Sequence, residues 1–455
     1  MTRAAARGID RRALAAACAE EEALFAERNP RSAAMFARAA GSLPGGNTRT
    51  GVHMPPFPLY AERGEGVWLH DLDGHRLLDF VNNNTALILG HAHPSVVSAL
   101  REAVGRGTGF SRPTALEVEL AELIRRRLPS LERLRFCSSG SEAVINALRA
   151  ARAFTGRAGT AKFEGAFHGI DDHAMVSYLL PVGPELGPAG APHSVASTAG
   201  LSSAALEDVV VLPFNDADAV EAILDEHAGR LAAVIVDPLS TAAGLALPEE
   251  GFLERLREAT HRAGALLVFD EIVSFRMGPG GVQEHLGVRP DLTCLGKVIA
   301  GGTPGAVFGG REEVMALYDP REGARIPQSG TFNANPFALT AGKVTLETMT
   351  PAAYERIAEL AQAAATGLER AFAGLGLAAC VVVAGSIFRV YFLEKPPRNY
   401  REAAADDTQL QRWLHLRLLN RGIYWRQGGS VSLPLEGEHV DRLVETVRDS
   451  LADLT

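Results

Sequence analysis

The stretch ALLVFDEIVSFRMGPGGVQEHLGVRPDLTCLGK, residues 265–297, decides the fold class of this chain. It contains two short runs of apolar, β-favouring residues, 266–269 and 292–295. Runs of this length without polar alternation indicate strands that are buried on both faces, as in a parallel sheet. The first run ends at Asp270 and the second is followed closely by Lys297. Because both side chains bear charge at the end of a buried strand, they are candidate functional residues.

The same pattern extends outward from this stretch. Further apolar runs occupy residues 134–137, 209–212 and 233–236, and residues 141–154, 217–226 and 250–262 have helical periodicity. Short apolar strands that alternate with amphipathic helices predict an α/β domain with a mostly parallel sheet.

The character of the sequence changes at two points. A helical opening precedes the turn-rich segment 43–49, and after Pro336 helical stretches surround only short strands. At 455 residues the chain is too long for one ordinary core. We therefore predict an N-terminal helical segment at 1–85, a large α/β domain at 86–335 and a smaller α+β domain at 336–455. The extended loop-like stretch 184–200 is a candidate lid.

Composition excludes several classes of function. The net charge of -9 and the lack of a basic stripe argue against a nucleic-acid partner. The four cysteines are scattered, which fits neither a disulfide framework nor a zinc site and is typical of a reducing cytoplasm. No apolar run approaches the ~20 residues that span a bilayer, and residues 1–22 resemble neither a signal nor a transit peptide. We expect a cytoplasmic protein that does not associate with a membrane and has no metal site.

Three local features carry the candidate chemistry. Burial of Lys297 would lower its pKa and supply the neutral amine that a Schiff base requires, although a lysine at a strand end is more often a surface group. Asp270 needs a cationic partner, which a protonated pyridine nitrogen would provide; an ordinary strand end or a metal ligand is the alternative. Residues 136–143 predict a strand, a Ser139-Gly140-Ser141 turn and a helix start that suits a phosphate, or a simple helix cap.

Eight segments in one order give the chain a resemblance to a known family. It resembles the class III aminotransferases, in the branch that contains glutamate-1-semialdehyde aminomutase and related amino-acid aminotransferases. The resemblance runs from about Phe36 to near the C-terminus. The segments are PGGNTR (44–49), LGHAHP (89–94), SGSEA (139–143), FEGAFHG (163–169), VDP (236–238), FDEI (269–272), LGK (295–297) and GTFN (330–333).

The resemblance implies a fold, a cofactor and roles for the residues around it. The fold would be fold type I, as in aspartate aminotransferase, with a mostly parallel seven-stranded sheet and a smaller domain. The cofactor would be pyridoxal 5'-phosphate. Lys297 would form the Schiff base and move a proton, and Asp270 would pair with the pyridinium nitrogen. Phe167 would stack on one face of the ring, and Ile272 would pack on the other.

It also implies a phosphate site, a dimer and a substrate site. Ser139, Gly140 and Ser141 would hold the phosphate, and Thr331 would reach the phosphate of the neighbouring subunit, so that a homodimer shares its active sites. The segment 1–85 would contribute to the small domain and to the dimer interface. Arg49 would bind the substrate carboxylate, for which a bidentate guanidinium is suited. The pair His91 and His93 is better explained as structural than as a metal site.

Several positions depart from the usual family pattern, and they bear on the reaction. Phe167 stands where tyrosine is frequent, Asp237 where glutamate is common, and Ser240 where related enzymes place glutamine. The segment 270–276 is one residue shorter than in the aminomutase. That difference and the segments 44–49 and 330–335 are more similar to aminotransferases that act on β-amino acids.

The sequence therefore predicts amino transfer between an amino acid and a keto acid. An aminomutase or an amino-acid racemase would use the same Lys297 and Asp270, and a catalytically silent cofactor-binding protein is an alternative of another class. A nucleotide-binding α/β protein is disfavoured because the Ser139-Gly140-Ser141 turn lacks the Gly-x-Gly-x-x-Gly pattern.

Overall fold

The computed structural model describes residues 9–454, which form two compact units. The first unit comprises residues 9–93, 356–396 and 405–454, and the second comprises residues 94–355 and 397–404. Each unit is therefore assembled from segments that are separate in the chain.

The first unit contains two small sheets. Its strands are β1 (Ala61–Glu65), β2 (Trp68–Asp71), β3 (Arg76–Asp79), β11 (Cys380–Ala384), β12 (Ile387–Tyr391), β13 (Ile423–Tyr424) and β14 (Gly428–Ser430). They pair in the orders β1-β2-β3-β13 and β11-β12-β14. All pairs are antiparallel except that of β3 with β13. Two of the predicted strands, at 67–70 and 76–81, are β2 and β3, and the turn between them is the predicted one.

The helices of the first unit pack on these sheets. They are α1 (Arg11–Arg28), α2 (Pro30–Ala39), the short α3 (Asn82–Thr85), most of α13 (Pro351–Gly374), α15 (Thr408–Asn420) and α16 (Gly437–Ala452). Helix α1 packs along α15. One core joins them, formed by the buried side chains Phe25, Phe57, Leu77, Leu416 and Leu419.

The second unit is built on a seven-stranded sheet. Its strands are β4 (Arg133–Cys137), β5 (Gly159–Phe163), β6 (Val209–Leu212), β7 (Leu231–Val236), β8 (Leu266–Asp270), β9 (Leu292–Leu295) and β10 (Ala306–Gly310). They lie in the order β4-β10-β9-β8-β7-β5-β6. Strand β10 is antiparallel to both of its neighbours, and the pairs from β9 to β6 are parallel. The predicted fold class, a mostly parallel seven-stranded sheet with a smaller α+β part, is confirmed.

Helices cover both faces of this sheet. They are α4 (Pro94–Arg106), α5 (Ala115–Arg127), α6 (Gly140–Thr155), α7 (Ser203–Asp208), α8 (Ala217–Glu226), α9 (Phe252–Arg262), α10 (Gly281–Leu286), α11 (Glu312–Met315), α12 (Pro336–Thr348) and α14 (Tyr400–Ala403). Along β7, Val234 and Val236 enter one core, whereas Ala233 and Ile235 enter the other. This burial on both faces explains why the strands read as continuous apolar runs.

The limits of the units differ from the domain limits predicted at 85 and 335. Residues 86–93 belong to the first unit, and α12 belongs to the second because it packs against α4 and α5. The short segment 397–404 also joins the second unit, which no sequence pattern indicates. Within residues 9–454, no helix combines the length and the apolar character needed to cross a membrane.

Candidate active site

Lys297 lies just beyond the carboxyl end of β9, where the chain turns sharply. It begins a 3₁₀ turn, Lys297–Ala300, with a φ of 51°. A non-glycine residue in the left-handed region is strained and is held there by its surroundings. Burial lowers the pKa of the Lys297 ammonium, and the negative charges of Asp270 and Asp237 act in the opposite direction. The amine is thus easier to deprotonate than a surface lysine while it faces two carboxylates.

Asp270 ends the neighbouring strand β8 and is held on both of its carboxylate oxygens. Its Oδ1 accepts a hydrogen bond from the Ile272 amide at 3.1 Å, and its Oδ2 lies 2.7 Å from Nδ1 of His168. The His168 ring is fully buried, and its Nε2 has no hydrogen-bond partner among residues 9–454. The carboxylate is therefore fixed in position. The sequence predicted Asp270 but not this contact, whose one local sign is a histidine directly after Phe167.

A second carboxylate, Asp237, lies at the end of β7. The hydroxyl and the amide of Thr241 both donate to its Oδ2, the amide at 2.8 Å. Burial, together with the charge of Asp270, raises the pKa of Asp237 to about 6. Ser240, at a φ of 47°, is buried in the same turn and donates its amide to the Asp237 carbonyl. Asp237 and Ser240 both depart from the usual family pattern in the sequence, but nothing in the sequence indicated Thr241 as the hydrogen-bond partner of Asp237.

Glu271, the next residue after Asp270, has a different environment. Its Oε2 accepts the Val282 amide at 2.7 Å, and a side chain on Gly281 would collide with it. Burial raises the pKa of Glu271 to about 7. This carboxyl is a packed, structural group, in contrast to Asp270.

The start of helix α6, residues 139–141, is a candidate anion-binding site, here called the anion cradle. Ser139 caps the helix, its hydroxyl accepting the Glu142 amide at 3.3 Å, and the first amides of a helix lack intrahelical acceptors. The hydroxyl of Ser141 accepts the Ile170 amide at 3.3 Å. Gly169 makes this approach possible, because a Cβ at that position would lie 2.7 Å from the Ser141 hydroxyl. The predicted residues Ser139, Gly140 and Ser141 are all in this first turn.

Two apolar side chains stand beside the cradle and the carboxylate. A Cβ on Gly140 would lie 2.6 Å from Cδ1 of Ile272, so the helix start and Ile272 are in close contact. Phe167 keeps 40% of its surface exposed and packs against Tyr178, with ring centroids 4.9 Å apart. An exposed aromatic face next to His168 is available to a planar ligand.

Thr331 lies in an exposed loop of the second unit. Phe332, which follows it, is 71% exposed, and Asn333 lies 3.4 Å from the Ser138 hydroxyl at the base of the cradle. The loop that carries Thr331 therefore contacts the residue before the cradle through Asn333, while Thr331 and Phe332 are exposed.

The stretch 184–200 is tied down in the second unit. His193 donates its amide to the Leu186 carbonyl, and Ser177 donates its amide to the Val195 carbonyl at 2.7 Å. Arg401 in α14 donates to the carbonyls of Leu186 and Gly187.

Arg49 belongs to the first unit, where Nη1 donates to the Asn83 side chain at 3.0 Å. Asn83 lies in α3, in which four consecutive residues, 82–85, have positive φ. Such a left-handed turn costs roughly 1–2 kcal/mol per residue. Asp79 stabilises it by accepting the amides of residues 81 and 82, and His91 lies 2.7 Å from the same carboxylate. His91 thus pairs with Asp79 and has a structural role in this turn.

Comparisons with known proteins place the chain in a family. The model of the family "Aminotransferase class-III" matches residues 50–447. A glutamate-1-semialdehyde 2,1-aminomutase of Sorangium cellulosum is 41% identical over 435 residues, which cover 94% of this chain and 97% of the relative.

Two solved structures are similar over nearly their whole length. An omega-transaminase from Sphaerobacter thermophilus has a TM-score of 0.90 at 42% identity, with 93% of this chain and 97% of that one covered. A β-phenylalanine aminotransferase from Variovorax paradoxus has a TM-score of 0.88 at 37% identity, with 97% and 98% covered. The two structures are named as transaminases, whereas the Sorangium cellulosum relative is named as an aminomutase, so the similar proteins are named for two different reactions.

Proposed function

Because this chain belongs to the class III aminotransferase family, we propose that it is an aminotransferase that moves an amino group between an amino acid, in particular a β-amino acid, and a keto acid. The observation that carries the proposal is the position of Lys297 and Asp270 just after and at the carboxyl ends of two adjacent parallel strands, β9 and β8. In open α/β sheets, ligands bind outside the carboxyl ends of the parallel strands. The segments 44–49 and 330–335 and the similarity to a β-phenylalanine aminotransferase support the β-amino acid.

The enzyme uses pyridoxal 5'-phosphate, as its family does. The residues present fit that cofactor: an anion cradle at α6, an exposed face on Phe167, a fixed carboxylate at Asp270 and a lysine whose pKa is lowered. When bound, the cofactor supplies an aldehyde for covalent attachment and a protonated ring that withdraws electrons from the substrate carbon.

We assign the proton chemistry to Lys297 and Asp270. The Nζ of Lys297 would hold the cofactor at its aldehyde, and as a free amine, displaced by the amine of the substrate, it would accept the proton of the substrate carbon. The Asp270 carboxylate would favour the protonated form of the cofactor's pyridine nitrogen. His168 fixes the orientation of that carboxylate through the 2.7 Å contact. The amides and hydroxyls of Ser139, Gly140 and Ser141 bind the phosphate, and Phe167 and Ile272 bound the ring.

A homodimer is part of this proposal. The exposure of Thr331 and Phe332, in a loop whose Asn333 contacts Ser138, supports it because an exposed residue beside the cradle is accessible to a neighbouring subunit. Burial of the exposed Phe332 ring against a partner subunit would stabilise the dimer, because removing apolar surface from water is favourable.

Intramolecular amino transfer is the second candidate, favoured by the relative named as an aminomutase. The two reactions differ in their products. The test incubates the holoenzyme with β-phenylalanine and 2-oxoglutarate, and separately with glutamate-1-semialdehyde alone. Glutamate formed in the first mixture supports the aminotransferase. Conversion of the semialdehyde to 5-aminolevulinate, with no amino exchange in the first mixture, would replace the proposal by the aminomutase.

Replacing Gly169 with alanine is expected to weaken pyridoxal-phosphate binding by about tenfold. The new Cβ would push Ser141 away from its position, and the φ of 98° at residue 169 is unfavourable for alanine. Equilibrium titration of the apoenzyme with the cofactor measures the change. Gly156→Ala is the matched control at the other end of α6, where φ is 71° but no atom lies within 4 Å. If both variants weaken binding equally, backbone strain rather than the cradle explains the effect.

Replacing Arg49 with glutamine is expected to raise KM for the amino-acid substrate about 10- to 100-fold, through the loss of a charge-assisted pair with its carboxylate. An amine donor that lacks a carboxylate should be affected far less. Steady-state kinetics with β-phenylalanine and with 1-phenylethylamine measure this difference. Arg63→Gln, which removes another exposed arginine of the first unit, is the control. Equal losses with both donors would disprove the carboxylate role of Arg49.

A further inference from the structure

Lys162 is a buried lysine that the proposed chemistry does not use. It lies in the middle of β5, paired with Val211 and Ile235 of the neighbouring strands, and only 2% of its surface is exposed. Burial lowers the pKa of its ammonium to about 7. A lysine is rarely this buried unless its amine has specific partners, so its partners define what it does.

Two backbone carbonyls accept hydrogen bonds from Lys162. The Nζ lies 2.8 Å from the Ala166 oxygen and 2.5 Å from the Val176 oxygen. These carbonyls belong to two separate segments of the chain. Ala166 directly precedes Phe167, and Val176 lies two residues before Tyr178. One side chain thus joins the segments that carry the two contacting rings.

The position of Phe167 depends on its backbone more than on packing. Its ring is 40% exposed and touches Tyr178 at 4.9 Å between centroids. The Ala166 carbonyl is in the same planar peptide unit as the Phe167 amide, so a hydrogen bond to that oxygen restricts the orientation of the following residue. The same argument applies to the segment that leads to Tyr178.

A second anchor holds the neighbouring residues independently. Glu164 forms a bidentate pair with Arg401, each N···O distance being 2.8 Å, and the Gly165 amide donates to the Ser177 carbonyl at 2.8 Å. Loss of the Lys162 ammonium should therefore loosen residues 166–168 and 176–178 without releasing the whole loop.

We propose that Lys162 is a positioning residue for the cofactor: by bridging the Ala166 and Val176 carbonyls it sets the Phe167 ring against the cofactor plane. This inference rests on the proposed stacking of Phe167 on the cofactor. It requires no particular amino donor and no particular reaction. Lys162 itself touches neither cofactor nor substrate and acts through Phe167.

A double-mutant cycle on cofactor affinity tests the proposal. The apo forms of the wild type, Lys162→Met, Phe167→Leu and the double variant are titrated with pyridoxal phosphate, followed by visible circular dichroism of the bound cofactor. Lys162→Met should raise the dissociation constant about tenfold, the amount that an aromatic contact contributes. It should also diminish the circular dichroism band. In the Phe167→Leu background the same substitution should change the constant less than about twofold, because coupled sites are not additive.

Additive effects in the cycle, or an unchanged dissociation constant with only a lower unfolding temperature of the apoenzyme, would overturn the proposal. Lys343→Met, which removes a partly exposed lysine paired with Glu119, is the matched control and should leave both readouts unchanged. If Lys162→Met does not fold, Lys162→Gln goes through the same cycle, and additivity there has the same meaning. Because the assay uses the cofactor alone, a wrong assignment of the amino donor would leave these results unaffected.

Discussion

Replacing Lys297 with alanine is expected to lower the rate of amino transfer by about 10²- to 10⁴-fold, the contribution of a positioned proton-transfer group. Lys297 lies just after the carboxyl end of β9, where burial lowers the pKa of its ammonium and the charges of Asp270 and Asp237 oppose that shift. In the proposed mechanism, alanine would remove both the amine that attaches to the cofactor and the base that moves the proton. The fold should persist, because the lost side chain ends in the site and not in a core.

Borohydride trapping makes this prediction specific. The chain has four lysines, Lys162, Lys297, Lys343 and Lys395, so peptide mapping of the reduced holoenzyme has few possible outcomes. We expect the cofactor on Lys297, a yellow wild type and no trapped cofactor in Lys297→Ala. Lys343→Ala serves as the control and should behave like the wild type. Trapping on Lys162, the other lysine with a lowered pKa, would disprove the assignment.

Replacing Asp270 with asparagine is expected to lower the rate by roughly 10²- to 10³-fold, a loss typical of removing one preorganised electrostatic partner in an active site. Asparagine has the same shape but carries no charge, so it cannot hold the proton on the pyridine nitrogen. The group that lies 2.7 Å from His168 Nδ1 would also change from a charged carboxylate to a neutral amide. Single-turnover kinetics of the amino-donor half-reaction, followed by cofactor absorbance, measure the effect on the proton-transfer step.

Glu271→Gln is the matched control for this variant. It makes the same acid-to-amide change one residue away, in a carboxyl that packs against the Val282 amide and whose pKa is raised to about 7 by burial. Its rate should stay within about threefold of the wild type, in the range of substitutions away from the reacting atoms. If Glu271→Gln reduced the rate as much as Asp270→Asn, a general disturbance of β8 would explain both results.

The site could be predicted from the sequence where its residues mark the ends of secondary-structure elements. Asp270 ends a buried apolar run, Lys297 follows another, and Ser139 precedes a helix with a small polar turn. These signals are local, since each depends on a few neighbouring residues and on the period of one strand or helix. The resemblance then supplied roles for Phe167, Ile272, Thr331 and Arg49, which no local pattern indicates.

Other parts of the fold carry weaker signals. Strands β5 and β10 contain small residues and glycines, and β10 runs antiparallel between β9, which shortly precedes it in the chain, and β4, which is far from it in the chain. The segment 397–404 joins the second unit through the Arg401–Glu164 pair. Pairings of this kind are decided by contacts between distant residues, and periodicity within one segment does not encode them.

The sequence by itself determined the α/β class, the alternation of strands and helices, and the positions of Asp270 and Lys297. It could do so because burial on both faces of a parallel sheet requires continuous apolar runs whose polar ends are visible in the chain. Only the tertiary structure decided that His168 fixes Asp270, that Asp237 is held by Thr241 beside it, and that Lys162 bridges the segments of Phe167 and Tyr178. The strand order β8-β7-β5 brings His168 within hydrogen-bond distance of Asp270, although the two residues are 102 positions apart in the chain. The contacts of Asp237 and Lys162 span shorter stretches of chain, but they depend on how the turns after β7 and β5 fold, which the period of a strand does not encode.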